Sequence, residues 1–269
     1  MIATVLGRSV CAAAFLLAVA GPVRADATTG WSSIVDGNYA KPNGHFVGGS
    51  IFGIGGALTT PTEYFGANFE AEVGYHDIEV GGASHSNWDI GATAFWPMSW
   101  GRVGGTVAYH SVDAGGGTTD TVWNYQAASE WFAGNEFTVG AKVGGGSGGR
   151  GLGGWYVGGE AIFYPCPDVA LSSTIDYARD DNWTFFSRET DVTASVEWLV
   201  SQDTPISIYG GYTWTEAHVG FPFGTPHADI LFAGVRYYTN GSGAKSLLDR
   251  QRTGTAGWIS TAAPLAINF

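Results

Sequence analysis

From residue 65 onward, the sequence is divided into segments of ten to fourteen residues in which apolar side chains alternate with polar or small ones. In the first segment, Phe69 and Ala71 fall on one face, whereas Glu70 and Glu72 fall on the other. Successive side chains of a β-strand point to opposite faces, so a period of two residues predicts strands, and a helix would mix the two sets. The alternation therefore predicts an all-β chain built from half-buried strands.

Ten segments carry this pattern clearly. They span residues 65–80, 88–96, 102–110, 123–131, 137–143, 155–163, 169–177, 192–200, 206–214 and 228–239. The Gly-rich stretch from Phe46 to Leu58 is also strand-like, and the stretch from Trp31 to Tyr39 could be its partner across a short loop. We expect twelve strands in total. Ten is the alternative, if residues 30–58 form a separate N-terminal segment.

The connections between the segments are alternately short and long. Four are tight turns, at residues 98–101, 133–135, 166–167 and 201–204, and five are longer links, at residues 81–86, 114–119, 144–151, 179–186 and 219–226. In an antiparallel meander, this order places all the short turns at one rim and all the long loops at the other. Transmembrane β-barrels show this asymmetry, with short periplasmic turns and longer external loops.

Aromatic side chains crowd both ends of the apolar faces. Trp96, Trp131 and Trp198 lie near the short turns, and Trp88, Trp123, Trp155, Tyr177 and Trp214 lie near the long loops. Two aromatic girdles around an aliphatic band are typical of a barrel that spans a bilayer. Ten to twelve strands also enclose more space than apolar side chains fill easily. We therefore expect a closed, antiparallel, up-and-down transmembrane β-barrel whose apolar face meets lipid, with a secreted soluble barrel or sandwich as the alternative.

The N-terminus predicts export. Arg8 precedes an apolar run over residues 10–21, and the small-x-small pattern Val23-Arg24-Ala25 follows that run. The run is shorter than the roughly 20 apolar residues of a transmembrane helix, so we expect residues 1–25 to be a cleaved signal peptide. Residues 26–240 then form the barrel, and residues 241–269, where the alternation stops, form a periplasmic tail.

The charge balance limits the possible partners. After removal of residues 1–25, 10 basic residues remain against 24 acidic ones, which gives a net charge near −14. Nucleic acid is therefore not an expected partner, because it requires a basic surface. Of the two cysteines, Cys166 alone lies outside the signal peptide, so the mature chain cannot form an internal disulfide.

The polar faces of the expected strands are strongly acidic. The acidic residues on them are Glu70, Glu72, Asp89, Glu130, Glu136, Glu160, Asp168, Asp176, Asp191 and Glu197, and the basic residues are Arg102, Lys142 and Arg236. Around a hydrated lumen, carboxylates raise the local concentration of cations and favour cation permeation. The alternative is that these residues pair into a hydrogen-bonded plug that stabilises a closed barrel.

A membrane-embedded hydrolase is a less favoured hypothesis. His76, Ser84, His85 and Asp89 surround one Gly-rich loop, but a catalytic triad requires hydrogen-bond contact among its members, and the loop sequence does not enforce that contact. No cluster of histidine and cysteine has metal-ligand spacing. We therefore expect no catalytic residues, no metal and no cofactor.

Three short segments have the composition of barrel strand ends: Gly154–Glu160 (GWYVGGE), Ser207–Tyr212 (SIYGGY) and Val235–Gly241 (VRYYTNG). On these segments, and over nearly the whole mature chain, the sequence resembles the small porin-like outer-membrane β-barrel proteins of Gram-negative bacteria. The resemblance implies a passive channel for small solutes in the outer membrane. It also implies contact with outer-membrane lipids and lipopolysaccharide, folding by the barrel-assembly machinery, and a monomeric state. The chain is too short for the sixteen strands of large trimeric porins.

A structural or surface-binding barrel is the alternative function. The aromatic residues of two long loops could bind an external partner, as in an adhesin: Trp183, Phe185, Phe186, Phe221 and Phe223. In that case the lumen would be plugged.

Overall fold

The computed structural model describes residues 32–44, 49–61, 66–80, 83–113, 119–148, 153–180, 186–201, 203, 205–219, 225, 227–240 and 245–253. These ranges contain twelve strands: β1 (Ser32–Gly44), β2 (Gly49–Pro61), β3 (Asn68–Val80), β4 (Ala83–Met98), β5 (Gly101–Asp113), β6 (Thr119–Ala133), β7 (Phe137–Gly148), β8 (Gly153–Cys166), β9 (Val169–Asp180), β10 (Phe186–Leu199), β11 (Ile206–Val219) and β12 (His227–Asn240). They also contain one short helix, α1 (Leu247–Thr253). The expected signal peptide lies outside the described residues.

The strands form one closed antiparallel barrel. Each strand pairs with its neighbours in sequence, and β1 closes the sheet by pairing with β12 from Ser32 opposite Asn240 to Gly44 opposite Ala228. The prediction of a twelve-strand up-and-down barrel is confirmed, and the ten-strand alternative is wrong. Although β2 is rich in glycine and alternates weakly, it pairs along its length with β3. Closure leaves no strand edge unpaired, which a barrel in lipid requires.

The outer surface of the barrel is apolar. Ile175 is 57% exposed and Leu231 is 65% exposed, whereas the polar side chains of Thr93 and Glu70 on the inner face are 1% and 2% exposed. A water-soluble barrel shows the reverse distribution, with apolar side chains inside. A continuous apolar outer band is the surface that a hydrocarbon environment stabilises. Among the described residues, no helix is long and apolar enough to cross a membrane.

Aromatic rings cluster at both ends of this apolar band. Near the long loops, the Tyr109 ring lies between Trp88 and Trp123, with ring centroids 5.4 and 5.1 Å away. Near the short turns, Trp100 stacks on Trp131 at 6.3 Å. The two groups match the expected girdles, since tryptophan and tyrosine favour the interface between hydrocarbon and water.

Glycines on the inner face leave room for larger side chains to lie along the wall. A methyl group added to Gly144 would collide with the Tyr156 ring, and one added to Gly158 would collide with the Asp176 carboxylate. In both cases, the large side chain comes from the neighbouring strand and covers the glycine. This close approach explains part of the high glycine content and holds polar groups flat against the barrel wall.

The short-turn mouth is the barrel opening ringed by the turns that follow β4, β6, β8 and β10. Helix α1 lies there, and Leu247 is fully buried against Tyr164, Leu199 and Tyr238. The helix starts at a typical cap, in which the Asp249 backbone N–H donates to the Ser246 hydroxyl at 3.1 Å. Part of the expected periplasmic tail is therefore in contact with the barrel, while residues 241–244 and 254–269 lie outside the described residues.

Candidate functional site

The polar inner face of the barrel is the candidate functional site. All eleven expected lumen-lining residues are on strands and on this face: Glu70, Glu72, Asp89, Arg102, Glu130, Lys142, Glu160, Asp176, Asp191, Glu197 and Arg236. Two other acidic residues were expected there and are not on strands. Glu136 lies exposed in the turn between β6 and β7, and Asp168 lies in the turn between β8 and β9. Both expectations extended the strand alternation into a turn, where it no longer holds.

The sequence reasoning missed two acidic residues of the inner face. Asp36 on β1 lies opposite Arg236 in the register, and its carboxylate accepts a hydrogen bond from the Tyr209 hydroxyl at 3.2 Å. Glu189 on β10 shares a face with Asp191, two residues further along. A signal for Glu189 was available, since residues two apart on a strand share a face. The expected strand, however, began only at residue 192.

Acidic residues outnumber basic ones on this face. Among the strand residues with described side chains, ten acids point inward: Asp36, Glu70, Glu72, Asp89, Glu130, Glu160, Asp176, Glu189, Asp191 and Glu197. The same set of residues contains three inward cations, Arg102, Lys142 and Arg236. With their carboxyl groups ionised, the interior carries a large excess of negative charge.

One buried ion pair joins β5 and β6 near the short-turn mouth. Arg102 donates from Nε to one Glu130 oxygen at 2.9 Å and from Nη2 to the other at 3.0 Å. The two side chains are 6% and 9% exposed, and the guanidinium also lies 5.7 Å from the centre of the Phe95 ring. This two-pronged geometry is the strongest arrangement between arginine and carboxylate, and it fixes both side chains against the wall.

Glu197 is the centre of a second network. One of its oxygens accepts from the hydroxyls of Ser207 at 2.5 Å and Tyr238 at 2.6 Å. The other accepts from Arg236 at 2.9 Å and from Gln251 of helix α1 at 3.1 Å. Four donors from three separate elements therefore converge on one carboxylate. This network links the barrel wall to the helix in the short-turn mouth.

The wall formed by β7 to β10 carries a third group of charges. Lys142 Nζ lies 2.8 Å from Asp176 Oδ1, and Asp191 is directly opposite Asp176 in the register. Glu160 and Glu189 lie on the same inner wall. One ammonium therefore faces several carboxyl groups, and the local charge of this wall is negative.

Uncharged polar groups line other parts of the wall. Thr93 pairs with Thr106 at 2.8 Å, and the Tyr156 hydroxyl lies 3.0 Å from the side-chain oxygens of both Asn124 and Gln126. A hydroxyl has a single proton, so one of these two amides must present its nitrogen to the Tyr156 oxygen. Polar groups thus line much of the inner face, alongside buried apolar side chains such as Phe95 and the cluster around Leu247.

The structure does not assemble the hydrolase residues. His76 Nε2 lies 3.6 Å from Asp89 Oδ1 on the inner face. Ser84 lies on the outward side of β4 and donates to Asp77 at 2.6 Å. The serine and the His76–Asp89 pair are therefore on opposite sides of the barrel wall. In the described parts of the chain, no group of histidine, cysteine or carboxylate residues could hold a metal ion.

Solved structures of similar shape are outer-membrane proteins. The KdgM porin in complex with disordered oligogalacturonate aligns with 76% of this chain and 98% of its own, at a TM-score of 0.52 and 8% identity. The NanC porin gives the same four values. An outer membrane channel of Pseudomonas putida aligns with 78% of this chain and 96% of its own, at a TM-score of 0.53 and 9% identity.

The chain has the fold of porin-like outer-membrane β-barrels. At identities of 8–9%, the similarity shows the fold alone. No protein-family model matches the sequence, and the comparison with curated proteins gives no match.

Proposed function

We propose that this porin-like barrel lies in the bacterial outer membrane and passes small solutes passively, with a preference for cations. The observation that carries the proposal is the combination of an apolar outer surface with an inner face on which described acidic residues outnumber basic ones by ten to three. Rings of carboxylates are a known basis of cation selectivity in pores.

The dimensions of the barrel are compatible with a narrow pore. Strands about 4.8 Å apart and tilted by about 40° close a twelve-strand barrel roughly 24 Å across between backbones. One layer of side chains occupies at least about 5 Å on each side, half of the roughly 10 Å between packed sheets, which leaves at most about 14 Å. A hydrated small ion fits this width, whereas a large polymer in a compact state does not.

The low-dielectric wall strengthens the effect of the acidic residues. At an effective dielectric constant of about 20, one carboxylate about 10 Å from an ion changes its free energy by roughly 1–2 kcal/mol before screening by salt. Screening over a Debye length of about 10 Å at 0.1 M salt reduces this value but does not remove it. A net excess of several carboxylates is therefore sufficient to exclude most small anions.

The experiment is a single-channel recording of the refolded chain without residues 1–25, in planar bilayers under a KCl gradient. We expect discrete conductance steps and a reversal potential close to the potassium equilibrium potential, because the acidic interior admits K⁺ more readily than Cl⁻. Steps with a reversal potential near zero or near the chloride potential would reject cation preference while retaining the channel. Inserted barrels that give no steps would reject the channel.

A plugged barrel with a structural or surface-binding role is the second candidate. It is favoured by the low exposure of the Arg102–Glu130 pair and by the network around Glu197, which fill part of the interior. Bilayers that contain protease-resistant inserted barrels without conductance would support it. Trp183, Phe185, Phe221 and Phe223, and the side chain of Phe186, lie outside the described residues.

The barrel would function as a single chain surrounded by lipid. Outer-membrane lipids and lipopolysaccharide would contact the apolar band, and the barrel-assembly machinery would insert the chain after export. We propose a monomer that acts without a cofactor and without catalysis. The separation of Ser84 from His76 across the wall supports the absence of hydrolase activity.

A further inference from the structure

The C-terminal segment that follows the barrel turns back into the short-turn mouth. The Leu248 backbone N–H donates to the Pro167 carbonyl at 3.0 Å, in the turn between β8 and β9. Leu247 has no exposed surface, and its neighbours in the same apolar cluster include Ala170 of β9 and Tyr238 of β12. Helix α1 therefore contacts the wall rather than extending away from it.

Polar contacts tie both sides of the helix to the barrel. Gln251 accepts from the Tyr164 hydroxyl at 2.7 Å and donates to the inward-facing Glu197 at 3.1 Å. Arg252 donates to the carbonyls of Gly134 at 2.7 Å and Phe137 at 2.6 Å. The helix thus reaches from β10 to the turn before β7, across one side of the opening.

The helix also brings positive charge to the acidic interior. Arg252 lies 4.9 Å from the centre of the Phe132 ring and 5.5 Å from that of Tyr164. Desolvation lowers the pKa of the Arg252 guanidinium, but an arginine side chain stays protonated in proteins. A fixed cation at the mouth opposes the entry of other cations, in addition to the steric effect of the helix.

The size of the helix is comparable with the opening that it faces. An α-helix with its side chains is about 10–12 Å wide, against an opening of at most about 14 Å inside the side-chain layer. Seven residues are too few for a stable isolated helix, because nucleation is costly and most helical stability comes from packing. Loss of the contacts between α1 and the barrel would therefore also unfold the helix into a narrower, mobile chain.

We propose that α1 is a plug that partly closes the short-turn mouth and limits the flow of ions through the barrel. This inference rests on the proposed channel function. Leu247 and Gln251 hold it in place, and its release opens the mouth. The plug belongs to the same chain as the pore and needs no partner.

The test compares the full mature chain with the L247D/Q251A variant in two measurements. Leu247→Asp places a charge in an apolar cluster, and Gln251→Ala removes the contacts with Tyr164 and Glu197. Thr253→Ala is the matched control, because the Thr253 hydroxyl is exposed and donates within the helix, to the Asp249 carbonyl. A milder variant, Q251A/R252A, keeps the apolar contact of Leu247.

The first measurement is the rate of trypsin cleavage after Arg250, read by mass spectrometry, and the second is single-channel conductance. Arg250 is 6% exposed, so slow cleavage is expected in the full chain and in Thr253→Ala, and rapid cleavage in L247D/Q251A. Conductance should rise about twofold or more in L247D/Q251A, since the helix covers roughly half of the opening. The conductance of Q251A/R252A should lie between that of the full chain and that of L247D/Q251A.

Three results would overturn the plug. Rapid cleavage after Arg250 in the unaltered chain would show that the helix is not docked. Rapid cleavage in L247D/Q251A with unchanged conductance would show that the docked helix does not obstruct flow, while the channel itself stands. Rapid cleavage in the variant with no conductance in either inserted protein would reject the channel function and the plug with it.

Discussion

The triple variant E70Q/E72Q/D89N is expected to lower the K⁺ to Cl⁻ permeability ratio by roughly tenfold. The three carboxyl groups lie on the inner face of β3 and β4, and each amide keeps nearly the same shape. Screening by salt reduces the contribution of each carboxylate about 10 Å from a passing ion to about 0.5 kcal/mol, so the three together contribute about 1.5 kcal/mol, and 1.4 kcal/mol is a factor of ten. The measurement is the reversal potential under a KCl gradient.

The control for this prediction removes the same number of charges outside the interior. Glu79, Glu136 and Asp203 are exposed on the outer side of β3 or in turns, so E79Q/E136Q/D203N should keep the permeability ratio of the unaltered chain to within about twofold. A ratio that falls equally in both triple variants would mean that overall charge, and not the lumen wall, sets selectivity. A ratio unchanged in both would contradict an acidic selectivity region on β3 and β4.

Replacing Arg102 with Met is expected to lower the free energy of unfolding by about 3–5 kcal/mol, because the Glu130 carboxylate then remains in a buried site without its cation. The Arg102–Glu130 pair is formed by two hydrogen bonds of 2.9 and 3.0 Å between side chains that are under 10% exposed. Urea unfolding in lipid vesicles, followed by tryptophan fluorescence, measures the change.

A second variant separates the cost of the orphaned charge from the value of the pair. R102M/E130Q should recover most of the lost stability, since a neutral amide is less costly to bury than a carboxylate. Lys41→Met, on the outer side of β1 near its long-loop end, is the control for loss of a positive charge and should shift stability by less than about 1 kcal/mol, because a charge near the membrane interface has a small effect. A similarly small shift in Arg102→Met would show that water reaches Glu130 and that the pair is not buried.

The fold could be predicted from the sequence because each barrel strand has its own alternation of apolar and polar residues. Period-two alternation gave ten of the strands, and alternating connection lengths gave their order around the barrel. β1 and β2 were harder, since glycines at positions such as Gly37, Gly53 and Gly55 weaken the pattern. The twelve-strand expectation rested on the possible pairing of these two segments, and that pairing is what closes the sheet.

From the sequence, charged side chains could be assigned to the inner face, but their contact partners could not be identified. Arg102 and Glu130 were both expected to point inward, yet their contact depends on the register between β5 and β6. A long loop joins these strands, and a register follows from sequence only where the turn is short and of a defined type. The contact between Asp36 and Arg236 could not be predicted for the same reason, because it requires β1 to pair with β12.

Helix α1 was missed, although its local signal is present. Ser246 followed by Asp249 three residues later is a helix start pattern, and two leucines follow the serine. The segment is too short for periodicity to show, and it lies beyond residue 240, where the strand alternation stops. Its position in the mouth depends on contacts with Tyr164, Glu197 and the turn carbonyls, which are distant in sequence and appear only in the folded barrel.

Quenching of a probe by lipid shows directly which face of the barrel wall meets the membrane. Thr174 and Ile175 are neighbours on β9 and point to opposite sides, and Ile175 is 57% exposed on the outer one. In a chain that lacks residues 1–25 and has Cys166 replaced by Ser, a single cysteine at either position is labelled with a fluorophore in bilayers that contain brominated acyl chains. We expect strong quenching of the probe at residue 175 and little at residue 174; equal quenching at both positions, or stronger quenching at 174, would contradict a membrane barrel with an acidic interior.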